Sequence, residues 1–125
     1  MTHLTTHVLD AVAGAPARDV AVVLTRVGGL AAGSGALPEG SGALPGSSGA
    51  LAEGRTDADG RLALGPDTLD PGDYALTFDT GAYFAARGVE TFYPFATITF
   101  RVTAAPHYHV PLLLSPFAYS TYRGS

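Results

Sequence analysis

Nine prolines and sixteen glycines cut this chain into short pieces rich in Val, Leu, Thr, Phe and Tyr. That is the punctuation of an all-β domain rather than a helical one. The pieces predict strands over Leu4–Asp10, Val20–Val27, Ala50–Thr56, Leu62–Leu64, Gly72–Phe78, Thr97–Val102, His107–Leu114 and Ala118–Tyr122. About eight short strands make a two-sheet sandwich the expected architecture. Alternation supports it: Val20, Val22 and Leu24 share one face of their strand, Ala21, Val23 and Thr25 the other, and Tyr74, Leu76 and Phe78 fall together. One helix of about two turns is predicted over Gly81–Arg87, with Asp79 or Thr80 as its cap and Gly88 as the left-handed residue that ends it.

At 125 residues the chain fits a single domain, 1–125. Folding at this size buries about two-thirds of the unfolded surface, enough for a core without covalent staples. With no cysteine there is neither a disulfide framework nor thiolate chemistry, so any nucleophile is an oxygen or water. A net charge of -4, with all seven cations arginines scattered from Arg18 to Arg123, offers no basic patch and argues against nucleic acid. No window approaches the ~18 apolar residues of a membrane helix, and Met1-Thr2-His3-Leu4 lacks the cationic start and apolar run of a secretory leader. The expectation is a cytoplasmic protein with no membrane partner.

Between Gly33 and Glu53 the chain nearly repeats itself, as GSGALPE, GSGALPG and SSGALAE. Stacked repeats need apolar layers for their neighbours to bury, and this unit offers one Leu and one Ala among residues of high backbone freedom. The segment 33–53 is therefore expected to be a low-complexity loop insertion between two strands.

The candidate chemistry sits near the two ends and in one turn. His3 and His7 share a face of the first strand, and His107 and His109 share a face of a late one, so two imidazole pairs can converge. A zinc site is the obvious alternative, since His-x-His is a recurrent ligand spacing. With no cysteine, and Asp10 the nearest acid, the ligand count argues against a required metal, and no cofactor is expected. Arg61 closes the turn Asp57-Ala58-Asp59-Gly60, where its guanidinium fork suits an anionic, imide-like ring; by residue type alone Arg55 does equally well. The chain finishes on Tyr122-Arg123-Gly124-Ser125, directly after a strand. Disorder would not call for an aromatic, a cation, a glycine and a hydroxyl there, whereas a ligand site would use all four.

Three strings, in order, carry a resemblance. The C-terminal run HYHVPLLLSPFAYSTYRGS (107–125), the N-terminal LTTHVLD (4–10) and the turn TDADGR (56–61) resemble the transthyretin-related proteins, and the YRGS ending resembles their 5-hydroxyisourate hydrolase branch. The resemblance implies a transthyretin-like sandwich assembled as a homotetramer, a dimer of dimers with its pockets in a channel where the dimers meet. Leu112, Leu113, Leu114 and Phe117 are candidates for that interface. It also implies hydrolysis of the small molecule 5-hydroxyisourate, with His7, Arg61 and His109 as catalytic residues and Tyr122, Arg123, Gly124 and Ser125 holding substrate. One histidine would act as base on water while Arg61 and the tail stabilise the oxyanion; which histidine does so stays open. The family usually has a shorter connection where segment 33–53 stands. A carrier of aromatic ligands on the same fold is the first rival, and a β-sandwich interaction module the second.

Overall fold

The computed structural model describes residues 3–27, 50–65 and 69–124, with the backbone alone for His3. In chain order the elements are β1 (His3–Asp10), β2 (Ala15–Pro16), β3 (Ala21–Arg26), β4 (Ala52–Arg55), β5 (Arg61–Leu64), β6 (Gly72–Phe78), α1 (Thr80–Ala85), β7 (Ala96–Val102), β8 (His107–Ser115) and β9 (Ala118–Thr121). They form two sheets, as the punctuation of the sequence requires. One runs β2-β1-β8-β9, with β5 sharing the β2 edge of β1; the other runs β4-β3-β6-β7.

The pairing of β1 with β8 is parallel and extends from His3↔His107 to Asp10↔Leu114. It joins the beginning of the chain to its end, and it sets what each face carries. Even-numbered residues point inward: Leu4, Thr6, Val8 and Asp10 on β1, and Tyr108, Val110, Leu112 and Leu114 on β8, are all buried. They meet Val22, Leu24, Tyr74, Leu76, Phe78, Ala96, Ile98 and Val102 of the second sheet in one core. Each aliphatic side chain so buried contributes about 1.5–3 kcal/mol. Odd-numbered residues, including Thr5, His7, His107 and His109, are left on the outer face.

Polar groups inside are matched. The Thr6 hydroxyl donates to the Val110 carbonyl at 2.6 Å. Asp10 accepts from the amides of Val12 and Ala13 through Oδ1 and from the Tyr83 hydroxyl through Oδ2 at 2.8 Å. Among the described residues no buried side-chain nitrogen or oxygen lacks a partner.

Several boundaries differ from the sequence expectation. The two-residue β2 is too short to leave an alternating pattern, and it pairs with Leu9 and Asp10 of β1. Strand β4 ends at Arg55 because Thr56 turns aside: its hydroxyl donates to the Ala17 carbonyl and accepts from the Val20 amide. Helix α1 has Asp79 as its cap, accepting from the Ala82 amide at 3.1 Å, and stops at Ala85; Arg87 lies in the turn beyond it. Leu112 and Leu114 belong to the core and not to an outer interface, because their even register turns them inward, while Phe117 is exposed. Most of segment 33–53 lies outside the described residues; its last two, Ala52 and Glu53, open β4 opposite Leu24 and Val23.

Candidate active site

The outer face of β1, β5 and β8 carries an open-sided depression of about 490 Å³, lined by Thr5, Thr6, Asp57, Arg61, Leu62, Ala63, His107 and His109. Three strand registers assemble it. His7 stands opposite Arg61 in the β1–β5 pair, Thr5 opposite His109 in the β1–β8 pair, and His109 opposite Gly124 in a bridge beyond β9.

Arg61 owes its position to the turn that precedes β5. Asp57 Oδ1 accepts the amides of Asp59 at 2.8 Å and Arg61 at 3.0 Å. The Arg61 amide bond does most to hold the Asp57 carboxyl below the usual carboxylate range, with the Asp59 amide and the charges of Arg61 and His7 assisting. Gly60 has φ of 75°, and a Cβ there would fall 2.4 Å from the Val8 carbonyl oxygen, so only glycine lets the turn close against β1. Among the described residues the Arg61 guanidinium has no ion-pair partner, whereas Arg55 lies 3.5 Å from Asp19 in a separate cleft. Arg61, and not Arg55, shares a cavity with histidines.

The histidines differ in what holds them. Nε2 of His7 stands 2.9 Å from the Asp59 carbonyl oxygen; a carbonyl only accepts, so His7 donates from Nε2 and keeps Nδ1 as its lone-pair nitrogen when neutral. It sits beside the depression rather than in its wall. His109 is half-buried, with Nδ1 2.8 Å from the Thr5 hydroxyl, which leaves Nε2 for a ligand. Burial pushes the His109 pKa down, the charges of His107, His7 and Arg61 add to the shift, and a hydrogen bond to the Thr5 backbone opposes it in part. His109 is therefore neutral, and able to accept a proton, over a wider pH range than an ordinary imidazole. His107 is exposed, with its ring 6.3 Å from that of His109 and its Nε2 3.1 Å from the same Thr5 hydroxyl.

Among its described residues, the C-terminal segment meets the site through Gly124, which packs on His109. The β8–β9 ladder breaks opposite Pro111, which has no amide hydrogen to give, and resumes where the Gly124 amide donates to the His109 carbonyl at 2.9 Å. A Cβ on Gly124 would lie 2.3 Å from His109 Cδ2, so the glycine lets the backbone close directly on the imidazole. Tyr122 and Arg123 turn toward a second cavity of about 270 Å³ between β7 and β8, which His109 also lines. There the Arg123 guanidinium stands 5.1 Å from the centre of the Tyr108 ring. Ser125 and the His3 side chain lie outside the described residues.

Residue-by-residue reading singled out neither Thr5 nor Asp57. Thr5 is brought between two histidines more than a hundred positions away by the parallel register alone. Asp57, and not Asp10, is the carboxylate that lines the cavity with His107 and His109; Asp10 points into the core, a consequence of its even register.

Comparison with known proteins identifies the family to which the chain belongs. The family model described as HIUase/Transthyretin family matches residues 4–124. A 5-hydroxyisourate hydrolase of Mus musculus is 42% identical over 125 residues, covering 98% of this chain and 94% of the relative. The structure of Klebsiella pneumoniae 5-hydroxyisourate hydrolase superposes with a TM-score of 0.76 at 37% identity, covering 100% of this chain and 94% of that one. Transthyretin from Sparus aurata superposes with a TM-score of 0.74 at 30% identity, over 97% and 95% of the two chains.

Proposed function

Because the chain belongs to the HIUase/transthyretin family, we propose that its outer-face depression is the active site of a 5-hydroxyisourate hydrolase. The protein is an enzyme, a hydrolase of urate degradation that converts 5-hydroxyisourate to 2-oxo-4-hydroxy-4-carboxy-5-ureidoimidazoline. The observation that carries the site is that Arg61 and His109 line one cavity, with the guanidinium lacking an ion-pair partner among the described residues and burial pushing the imidazole's pKa down.

In our reading, His109 takes a proton from water through Nε2, and the hydroxide formed attacks the ring amide carbonyl. Arg61 presents its fork to the oxyanion that develops there. Collapse of the tetrahedral intermediate breaks the carbon–nitrogen bond, the departing nitrogen takes up a proton, and a carboxylate is left. His7, opposite Arg61 and tied to the Asp59 carbonyl, orients the turn that carries Arg61 and adds its lone-pair Nδ1 to the rim. The tail contributes to holding substrate, with Gly124 against the His109 ring and Tyr122 and Arg123 on the adjoining cavity that His109 also lines.

The depression is open on one side, and we infer that a second copy covers it in a homotetramer, so that assembly completes the water-excluding wall. Exposed Phe117, Tyr119 and Tyr122 on and beside the edge strand β9 are apolar surface for another contact between copies. The cysteine-free composition suits a reducing compartment, and we place the enzyme in the cytoplasm. No helix is long and apolar enough to cross a membrane among the described residues.

The test is spectroscopic: 5-hydroxyisourate made freshly with urate oxidase is followed by its ultraviolet decay with and without the protein. Marked acceleration is expected. Decay at the spontaneous rate would leave a carrier on the same fold as the better reading.

A further inference from the structure

We propose that Thr5 is a positioning residue for His109, and that His107, Thr5 and His109 form a proton relay leading from the depression to its exposed rim. The inference rests on the reading of His109 as the base. Its foundation is one hydroxyl held between two imidazoles, 2.8 Å from His109 Nδ1 and 3.1 Å from His107 Nε2.

A threonine hydroxyl has a single proton, so it donates to one ring nitrogen and accepts from the other. Two neutral arrangements satisfy both contacts. In the first, His109 donates from Nδ1 to Thr5 while Thr5 donates to His107, which leaves a lone pair on His109 Nε2. In the second, His107 donates from Nε2 to Thr5 while Thr5 donates to His109 Nδ1, so that His109 carries its proton on Nε2. The first makes His109 a base and the second makes it an acid. The direction of the hydroxyl, together with the bond between the His109 ring and the Thr5 backbone, sets the role.

Proton transfer along the relay takes His109 from the first role to the second without moving a heavy atom, and leaves His107 protonated on both nitrogens. When His109 Nε2 takes a proton from water, the Nδ1 proton passes to Thr5 Oγ1 and the hydroxyl's own proton passes to His107 Nε2. Hydroxide is then at the substrate, His109 is neutral with its proton on Nε2, ready for the departing nitrogen, and the added charge sits on exposed His107. The positive charge is thus removed from a half-buried imidazole that already faces Arg61 and His7. Fold stability asks for none of this. The neighbouring Thr6 shows the structural alternative, with its hydroxyl committed to a backbone carbonyl in the core.

Thr5→Val keeps the β-branched shape that β1 favours and removes the hydroxyl. Relative to wild type, kcat is expected to fall about ten- to a hundredfold with KM within about threefold, the pattern of lost acid–base competence. Thr5→Ser is expected to restore kcat to within about threefold. His107→Gln, which accepts a hydrogen bond but takes no proton, should lower kcat by about three- to tenfold. Nitrogen-15 NMR of His109 in the resting protein provides a readout independent of turnover: the Nδ1–H form in wild type and Thr5→Ser, and loss of that preference in Thr5→Val. A His109 tautomer that ignores the hydroxyl, a Thr5→Ser kcat as low as that of Thr5→Val, or an undiminished kcat in His107→Gln would overturn the relay. A wild-type protein without activity would remove the enzyme reading instead, and the NMR result would still decide the part assigned to Thr5.

Discussion

Two polar clusters use β1 in opposite ways. On the inner face Asp10 is buried at the end of the strand with all of its bonds made inside the protein, two from backbone amides and one from Tyr83. On the outer face Thr5, His107, His109 and Arg61 surround open space, and the guanidinium is left without an ion-pair partner among the described residues. A buried carboxylate is tolerable only when its bonds are complete, so the first cluster pins the β1–β2 turn to α1. An incomplete set, turned to a cavity, keeps its bonding capacity for a ligand. The comparison teaches that hydrogen-bond saturation, more than residue type, separates structural polar groups from chemical ones in this molecule.

The sharpest way to break the comparison is to delete each cluster and ask which property falls. His109→Asn and Arg61→Ala are each expected to lower kcat/KM by about a hundredfold or more, as loss of a base or an oxyanion donor does, with little change in thermal midpoint. His7→Asn should fall in the same range if its imidazole takes part. Steady-state assays on the three variants decide it, and retained activity in all three would move the site elsewhere.

Tyr83→Phe should do the reverse. Leaving Asp10 Oδ2 buried without its donor costs about 1–3 kcal/mol of stability, readable in denaturant unfolding, while kcat/KM stays at the wild-type value. The same tyrosine has a pH signature. Burial first, then the Asp10 bond and charge, push its pKa up to about 12. A folded-state value above the unfolded one means that this stabilisation is complete below about pH 10 and is lost as pH rises toward 12. Tyr83→Phe should abolish that component of the alkaline loss.

The active cluster titrates at the other end of the scale. His109 faces His7 and Thr5 on β1, Arg61 on β5, and His107 on its own strand, with Asp57 in the turn beside Arg61. Burial and three cationic neighbours lower its pKa, so kcat/KM should hold down to a pH below the ordinary imidazole value of about 6.5 and fall on the acid side of that. An acid limb centred above 6.5 would assign the base to another group. Gly124→Ala tests the contact behind the same ring: the new methyl displaces either His109 or the tail, and kcat/KM should drop about tenfold with stability within about 1 kcal/mol.

Much of this was written locally. The alternation of Val20, Val22 and Leu24 and of Tyr74, Leu76 and Phe78 put those residues in the core because a strand has period two and each face meets one environment. Arg61, Gly60 and Asp57 were legible as a turn because their bonds close within five residues. What stayed hidden depends on register between distant strands. Nothing near Thr5 says that its neighbours are His107 and His109, and nothing in the run of leucines at 112–114 says that the first and third point inward until β8 is placed beside β1. Residue type alone left Arg55 and Arg61 equivalent and only the resemblance favoured Arg61; what separates them physically is tertiary, since Arg61 shares a cavity with His107 and His109 while Arg55 meets Asp19 elsewhere.

The smallest expected effect concerns the insertion. Strands β3 and β4 are antiparallel neighbours, with Leu24 opposite Ala52, and the connection between them runs from Val27 to Leu51. Both lie in the sheet that does not carry the depression. We propose that segment 33–53, apart from Ala52 and Glu53 at the head of β4, is a loop insertion in a single domain, and removal of residues 33–49 leaves enough chain to turn between the two strands. Loop-closure entropy changes only with the logarithm of length, so the deletion should alter stability by no more than about 1 kcal/mol, in the stabilising direction. Turnover should stay within about twofold of wild type, because the cavity that Arg61 and His109 share is built, among the described residues, from β1, β5, β8 and the turn at Asp57. A large loss of activity with the fold intact would show that the insertion reaches the site of another copy, and the separation between a structural sheet and a chemical one would fail.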